Sequence, residues 1–421
     1  MGPKGKTPYN GRTLPPWFNV YSIRRMRVLF VIGNLGDYHV PRYQALDRVA
    51  SQRGIDLSLV EIFGTSKAYA YPQPYRGQFF STKPQHCVTL LEDAAEGDAH
   101  WLRVGAKLAP IVRRTVPDCV VTLGYNTSYS LYLCLLKLLT RRYKLVYMSD
   151  SKADDGKRYM LKERAKRFLV SQFDGALVAG EKHRAYAESL GVPLERSRIG
   201  FDVIDVGYIR DAAQQARQEA PRVRGRYGLP SRYVLCVARF VPRKNVDIVV
   251  DAYAASGLAA SGVALVLVGQ GPRGDALAAQ IARLGLASHV TILPAVPNRD
   301  MPGIYALADF VMLASAFDQW GLCINEALAA GCPVIVTRTC GVANEMVRDN
   351  VNGFIIEPGS AARLAERMQQ LGGSPALRER LAAHAFAGVR EWTPDLFAEN
   401  LFDLAESLTA PEPAVSHQAS R

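Results

Sequence analysis

Residues 310–337 read FVMLASAFDQWGLCINEALAAGCPVIVT. The first five are continuously apolar, as a strand buried on both faces of a parallel sheet has to be. A loop carrying Asp318 and Trp320 follows, then a short helical stretch holding Glu326, a stop at Gly331 and a second apolar run at 334–337. Strand, helix and strand in that order predict a parallel βαβ unit. The loop leaves the carboxyl end of a strand, which is where open α/β sheets bind ligands. Two carboxylates and an indole concentrated there mark a candidate site.

The alternation continues in both directions. Strands are expected at 233–237, 263–269, 290–293 and 354–357, in a second α/β series that begins near Pro230. Upstream, MRVLFVIG at 26–33 is a buried strand, followed by a glycine loop and a helix to about Arg53. Further strands are expected at 56–62, 119–123, 145–148, 176–178 and 197–200, with helices between most of them. A chain of 421 residues exceeds one ordinary core. The expected organisation is a basic tail at 1–24, a first Rossmann-like domain at 25–205 and a second Rossmann-like domain at 206–390. The segment 204–226 carries the change of domain. A helix within 391–410, with Thr393 as N-cap and Pro394 at its first position, crosses back to the first domain, and 411–421 is a tail. The irregular piece at 64–83, rich in Tyr, Pro and Gln, reads as an insertion on one rim: a substrate-facing loop or a plain surface excursion.

A 48% hydrophobic and 21% charged composition is that of a soluble globular protein. Seven scattered cysteines without paired spacing read as reduced thiols, neither a disulfide frame nor a zinc site. No uncharged apolar run reaches the roughly 18 to 20 residues of a spanning helix; the nearest, at 129–139, is broken by Lys137. The basic N-terminus lacks a signal peptide's apolar centre. The expectation is a cytoplasmic protein. A formal charge of +12 narrows the partners to nucleic acid, an anionic membrane or anionic small substrates. No nucleic-acid module is recognisable, so no nucleic-acid partner is expected. A helix predicted over 155–173 places Leu161, Ala165, Phe168 and Leu169 on one stripe and Lys162, Arg164, Lys166 and Arg167 elsewhere. Either this surface lies near anionic headgroups on the inner membrane face, or the stripe docks on the sheet and the charges are merely solvated.

The strand YVLCVARF ends at Arg239, and Lys244 stands five positions on. Two cations there, beside a helix opened by Asn245 or Asp247, suit a diphosphate. In LVLVGQGP, Gly269 and Gly271 either let a ligand approach the backbone or form an ordinary turn. Gly33 and Gly36 make an incomplete dinucleotide fingerprint. His39 in that loop, with Asp150 and Asp155 after the 145–148 strand, are candidate first-domain site residues; a loop histidine without function, and an N-cap role for either aspartate, stay open.

Together these pieces resemble the retaining nucleotide-sugar glycosyltransferases of family 4, of the bacterial group 1 type, which have the GT-B fold of two Rossmann-like α/β domains facing across a cleft. The matching stretches are R-x4-K (Arg239, Lys244), VGQGP, ASAFDQWGLCINEALAAGCPVIVT and GVANEMVRDNVNGFIIEPG, joined by VLFVIGNLGDYHVPRYQAL in the first domain. The resemblance covers about residues 26–408. It implies that Arg239 and Lys244 bind the donor diphosphate and stabilise its departing charge. It places the signature E-x7-E at Asp318 and Glu326, with Glu326 on the ribose hydroxyls and Asp318, one methylene shorter than the usual Glu, on the donor sugar. Backbone groups of Trp320, Gly321, Leu322 and Cys323, and Gly33 and Gly36 across the cleft, would contact sugar and phosphate. The frequent first-domain histidine is replaced by Met148-Ser149-Asp150-Ser151. No metal and no cofactor beyond the nucleotide-diphosphate sugar is implied. The favoured acceptor is a lipid-linked glycan intermediate of exopolysaccharide or lipopolysaccharide synthesis; the alternatives are a soluble small-molecule acceptor, or nucleotide-sugar binding without turnover.

Overall fold

Thirteen strands form two sheets in the computed structural model, which describes residues 25–66, 76–79, 87–96, 101–156, 158–293 and 296–410. The first seven are β1 (Arg27–Ile32), β2 (Asp56–Ser66), β3 (Cys87–Glu96), β4 (Cys119–Leu123), β5 (Lys144–Ser149), β6 (Gly175–Val178) and β7 (Ser197–Ile199). They form one parallel sheet in the order β3-β2-β1-β4-β5-β6-β7. The second sheet holds β8 (Tyr233–Val237), β9 (Ala264–Val268), β10 (Val290–Leu293), β11 (Val311–Leu313), β12 (Val334–Thr337) and β13 (Gly353–Ile356), in the order β10-β9-β8-β11-β12-β13. Both are doubly wound: the order reverses between β1 and β4, and again between β8 and β11. A crevice opens outside the strands' carboxyl ends at such a reversal.

The opening stretch is the centre of the second sheet. Val311 pairs with Leu235 of β8 and Val334 of β12. Val311, Met312, Leu313 and Phe310 are all essentially inaccessible to water, which explains the unbroken apolar run. The segment 204–226 is not a free linker. Its helices Val206–Gln218 and Ala220–Tyr227 place Ile204, Val206, Ile209 and Ala213 in the second domain's core with Ile304 and Leu328.

The helix Pro394–Thr409, capped by Thr393 Oγ1 accepting from Leu396 N at 3.2 Å, packs on the first domain. Phe397, Leu401, Phe402 and Leu404 join Phe30, Tyr43 and Leu46 in one core, each such burial being worth about 1.5–3 kcal/mol. Arg53 adds exposed ion pairs to Asp403 at 2.6 Å and Glu406 at 3.2 Å, a small contribution in water.

Three sequence expectations change. The edge strand β3 was not expected; only three of its ten residues are buried and its apolar pattern is weak. Of the piece at 64–83, residues 64–66 continue β2 and 76–79 are helical, while the rest, like both tails, lies outside the described residues. The helix expected over 155–173 is Met160–Val170. The buried Lys152 explains its late start: its Nζ takes Asp154 at 2.8 Å and Asp155 at 2.7 Å. Neither Asp150 nor Asp155 caps the helix, whose N-cap is Tyr159. The apolar stripe is not docked either: Leu161 is 83% and Phe168 70% exposed.

Candidate active site in the interdomain cleft

The loops after β8 and β11 meet at the second domain's reversal point. Lys244 donates to Asp318 Oδ2, Ser315 Oγ donates to the same oxygen at 3.2 Å, and Arg243 NH1 lies 3.9 Å from Asp318 Oδ1. Asp318 is thus buried but paired, as a buried carboxylate has to be. Arg239 stands at the end of β8, exposed and without an ion pair among the described residues. Gly269 and Gly271 answer to chain packing. A Cβ on Gly269 would sit 1.9 Å from Ala238 O, and one on Gly271 2.6 Å from Phe240 O, so the two loops close on each other's backbone.

Gly321, at φ 113°, opens the helix Leu322–Ala329. The first amides of a helix have no partner within it and favour anions. One turn on, Glu326 accepts from Tyr305 Oη at 2.7 Å, and Tyr38 of the first-domain glycine loop approaches the same carboxyl. Burial pushes Glu326 up to about 7 against these two hydroxyls, which lower it; burial and then the Glu326 charge raise both tyrosines. Trp320 has another task. Its ring is buried between His183, 5.5 Å away, and Trp392, 5.0 Å away, and its N–H donates to Asn325 Oδ1 at 3.0 Å. The indole is a packing piece between the domains, supported by His183 Nε2 against Gln319 O at 2.7 Å and by Glu345 accepting from Glu181 N at 2.7 Å.

The first-domain wall is organised by Glu61, a fully buried acid on β2. It accepts from Leu35 N at 2.6 Å and Asn34 Nδ2 at 3.1 Å, pinning the loop that holds Gly33 and Gly36. Arg76 and Thr89 neutralise and satisfy its other side. A Cβ on Gly33 would meet Glu96 Oε1 at 2.2 Å, so any side chain there has to displace the Glu96 carboxylate. His39 is held well below its ordinary range by burial and then by Arg42.

Asp150, at the end of β5, is pushed up to about 6 by burial, with Asp155 and Asp318 adding. Asp202, just after β7, is raised well above the carboxylate range by burial, then by Asp150 and Asp318. Among the described residues, buried polar atoms without a hydrogen-bond partner gather here: Tyr38 Oη, His39 Nδ1, Arg42 Nε, Asp202 Oδ2 and Arg243 NH1. Buried polar groups are rarely left so, and all five come from segments that meet at the cleft.

The structure therefore brings Lys244, Asp318, Asp150 and the Gly321–Cys323 turn to one cleft, with Glu326 and the Gly33–His39 loop beside them. Asp155 is occupied by Lys152. Sequence reading leaves out Tyr38, Arg42, Glu61, Asp202, Arg243 and Tyr305. Glu61 had a signal, a lone acid in the apolar run LVEIF, and Arg243 lay inside the R-x4-K spacing. Asp202 follows a strand end, whereas nothing local marks Tyr38 or Tyr305. Chemically, the second wall offers cations and helix amides to an anion. The carboxyls, some of them protonated near neutral pH, can exchange hydrogen bonds with hydroxyl groups.

Comparison with known proteins agrees with this geometry. Residues 221–387 match the family model of the glycosyl transferases group 1. The chain is 30% identical over 196 residues to an alpha-D-kanosaminyltransferase of Streptomyces kanamyceticus, covering 46% of this chain and 50% of that protein. It is 36% identical over 178 residues to a GDP-mannose-dependent alpha-(1-6)-phosphatidylinositol monomannoside mannosyltransferase of Mycobacterium tuberculosis, covering 40% and 45%. The chain thus spans about half the length of these relatives. A glycosyltransferase from Rickettsia africae superimposes with a TM-score of 0.72 at 16% identity, over 91% of this chain and 99% of that one. Anabaena HepE, in complex with UDP and glucose, gives 0.68 at 20% identity, over 91% and 100%. The chain has the GT-B architecture, two Rossmann-like parallel-sheet domains facing across a cleft, and its second domain matches the group 1 glycosyl transferases.

Proposed function

We propose that this chain is a retaining, metal-independent glycosyltransferase of family 4 that moves a sugar from a nucleotide-diphosphate donor to an acceptor held mainly by the first domain. The observation that carries the reading is the second-domain wall, where Lys244 and Arg243 converge on Asp318 beside the helix N-terminus at Gly321. Departure of a nucleoside diphosphate develops negative charge, and preorganised cations and amides stabilise it at the moment it forms. Arg239 and Lys244 hold the diphosphate. Glu326 exchanges Tyr38 and Tyr305 for the ribose hydroxyls. Asp318, one methylene short of the usual Glu, is steered toward the donor sugar by Lys244. Relatives and neighbours support this class: one relative is named for a GDP-mannose donor, and HepE has been seen with UDP-glucose.

The favoured acceptor is a lipid-linked glycan intermediate of exopolysaccharide or lipopolysaccharide synthesis, reached by peripheral attachment to the inner membrane face through the Met160–Val170 region. A soluble acceptor is the second reading, favoured by relatives named for glycosyl transfer to inositol 3-phosphate and to 2-deoxystreptamine. The test is a thermal-shift panel of UDP-, GDP-, TDP- and ADP-sugars against wild type and Glu326→Ala. One donor should stabilise wild type by about 2.7 kcal/mol at a hundred times its dissociation constant, and the variant by less. If none stabilises wild type, the reading fails. The anomeric configuration of the product, read by NMR, decides retention.

A further inference from the structure

We propose that the helical outer face of the first domain docks on an anionic lipid surface, with a basic depression beside Leu138 as its headgroup site. The proposal deepens the membrane part of the function above. Fifteen large apolar side chains are exposed among the described residues, and eleven lie on or beside three helices: Trp101–Thr115, Ser128–Thr140 and Met160–Val170. These connect β3 to β4, β4 to β5 and β5 to β6, steps in one direction along the sheet. Right-handed crossovers therefore put them on one face, and they share one core through Leu108, Leu133 and Val170.

The middle helix is the run whose length and Lys137 exclude a membrane span. Its inner side buries Tyr129, Leu133 and Cys134. Its outer side shows Leu131, Leu135, Leu138 and Leu139, at 41%, 50%, 60% and 74% exposure, on one helical stripe. A helix apolar all round belongs in an apolar environment, and no described residue supplies one on the outer side. The next helix adds Met160, Leu161 and Phe168, with Met160 and Leu161 just after the loop that bears Asp150. The face thus runs from the cleft mouth to the far end of the sheet.

At that far end lies a depression of about 450 Å³, lined by Lys137, Leu138, Arg141, Arg142, Lys144 and Asp174 among others. Asp174 is taken by Lys137 at 2.6 Å, with Lys144 at 3.9 Å. Asp118, also in the lining, accepts from Arg27 N at 2.9 Å. Arg141 and Arg142 are exposed and have no ion pair among the described residues. Leu138 belongs to both depression and stripe, so apolar insertion and anion capture adjoin. Charge selects the occupant. Residues 1–24 contain Lys4, Lys6, Arg12 and Arg24 and no acid, and a second copy would present the same cations. An anionic bilayer complements both halves of the surface.

The test is flotation of the full chain with vesicles of phosphatidylcholine alone, or with about one third phosphatidylglycerol. Binding is expected to the anionic vesicles only. Arg141→Ser with Arg142→Ser should weaken it roughly thirtyfold, and Leu138→Ser with Leu139→Ser at least tenfold. Both variants should keep the wild-type donor-induced thermal shift, which reports fold and cleft separately. Equal binding to neutral vesicles, or full affinity in the arginine variant, overturns the proposal. So does displacement from vesicles by inorganic phosphate with the leucine variant binding like wild type, which marks a soluble-anion site. A dimer in solution that the leucine variant splits, without vesicle binding, overturns it in favour of a second copy. Loss of the donor shift in wild type with vesicle binding intact counts against the transferase reading alone.

Discussion

The two domains repeat one strand order and use its reversal point differently. In the first, the loop after β1 is held by an acid that faces inward: Glu61 is fully buried and spent on Leu35, Asn34, Arg76 and Thr89. In the second, the loop after β8 leaves Arg239 exposed and shares the less accessible Lys244 and Arg243 with Asp318 of the neighbouring loop. The same topology thus makes one wall a scaffold and the other a charged surface. Position at a switch point does not by itself say which; the difference lies in where the counter-charge comes from.

That contrast can be broken most sharply at Glu61. Glu61→Ala leaves Arg76 and the loop amides without their partner, and breaking a buried ion pair costs about 3–5 kcal/mol. Urea denaturation should show that loss. A stable variant that instead loses donor binding would move Glu61 to the functional side. The converse test is Arg239→Ala. An exposed residue with no ion pair among the described residues should change stability by no more than about 0.5 kcal/mol, while turnover falls about a hundredfold; steady-state kinetics on the identified donor and unfolding on the same preparation separate the two. Unchanged turnover would leave the second wall without its outer cation.

A smaller effect sharpens the comparison through pH. Glu326 is raised in the folded state from an ordinary 4.5 to about 7, so between those values the folded protein binds more protons than the unfolded one. By linkage, this group's contribution makes stability fall as pH rises through that window. Glu326→Gln should remove that part of the slope, gaining on wild type by on the order of 1–3 kcal/mol from pH 4.5 to above 7. The check is ligand-free denaturation at a series of pH values. Identical pH profiles would mean that Glu326 is well solvated and not closed over by Tyr38 and Tyr305.

Much of the architecture was legible in the sequence because strand burial leaves a local record. Runs such as YVLCV and LVLV are apolar at every position, and no sheet with a wet face tolerates that. β3 was missed for the same reason in reverse: an edge strand with three of its ten residues buried leaves no such record. Helix Met160–Val170 was placed too long because its start depends on Lys152 claiming Asp154 and Asp155, a contact that periodicity cannot reveal. The cleft followed the same rule. Glu326 and Asp318 stand out within one loop and helix, whereas Tyr38 and Asp202 belong to the site only because the second domain lies against them.

By itself, then, the sequence determined the class of fold, two Rossmann-like parallel-sheet domains, since strand burial and backbone chemistry are recorded within a few tens of residues. Tertiary structure decided which side chains meet: Lys244 with Asp318, 74 residues apart, Tyr305 with Glu326, 21 apart, and Trp320 with His183 of the other domain. It also decided that the leucines of Ser128–Thr140 face outward. Strand order and domain closure set those encounters. Neither leaves a periodic trace along the chain, because the free energy that selects them comes from surfaces far apart in sequence.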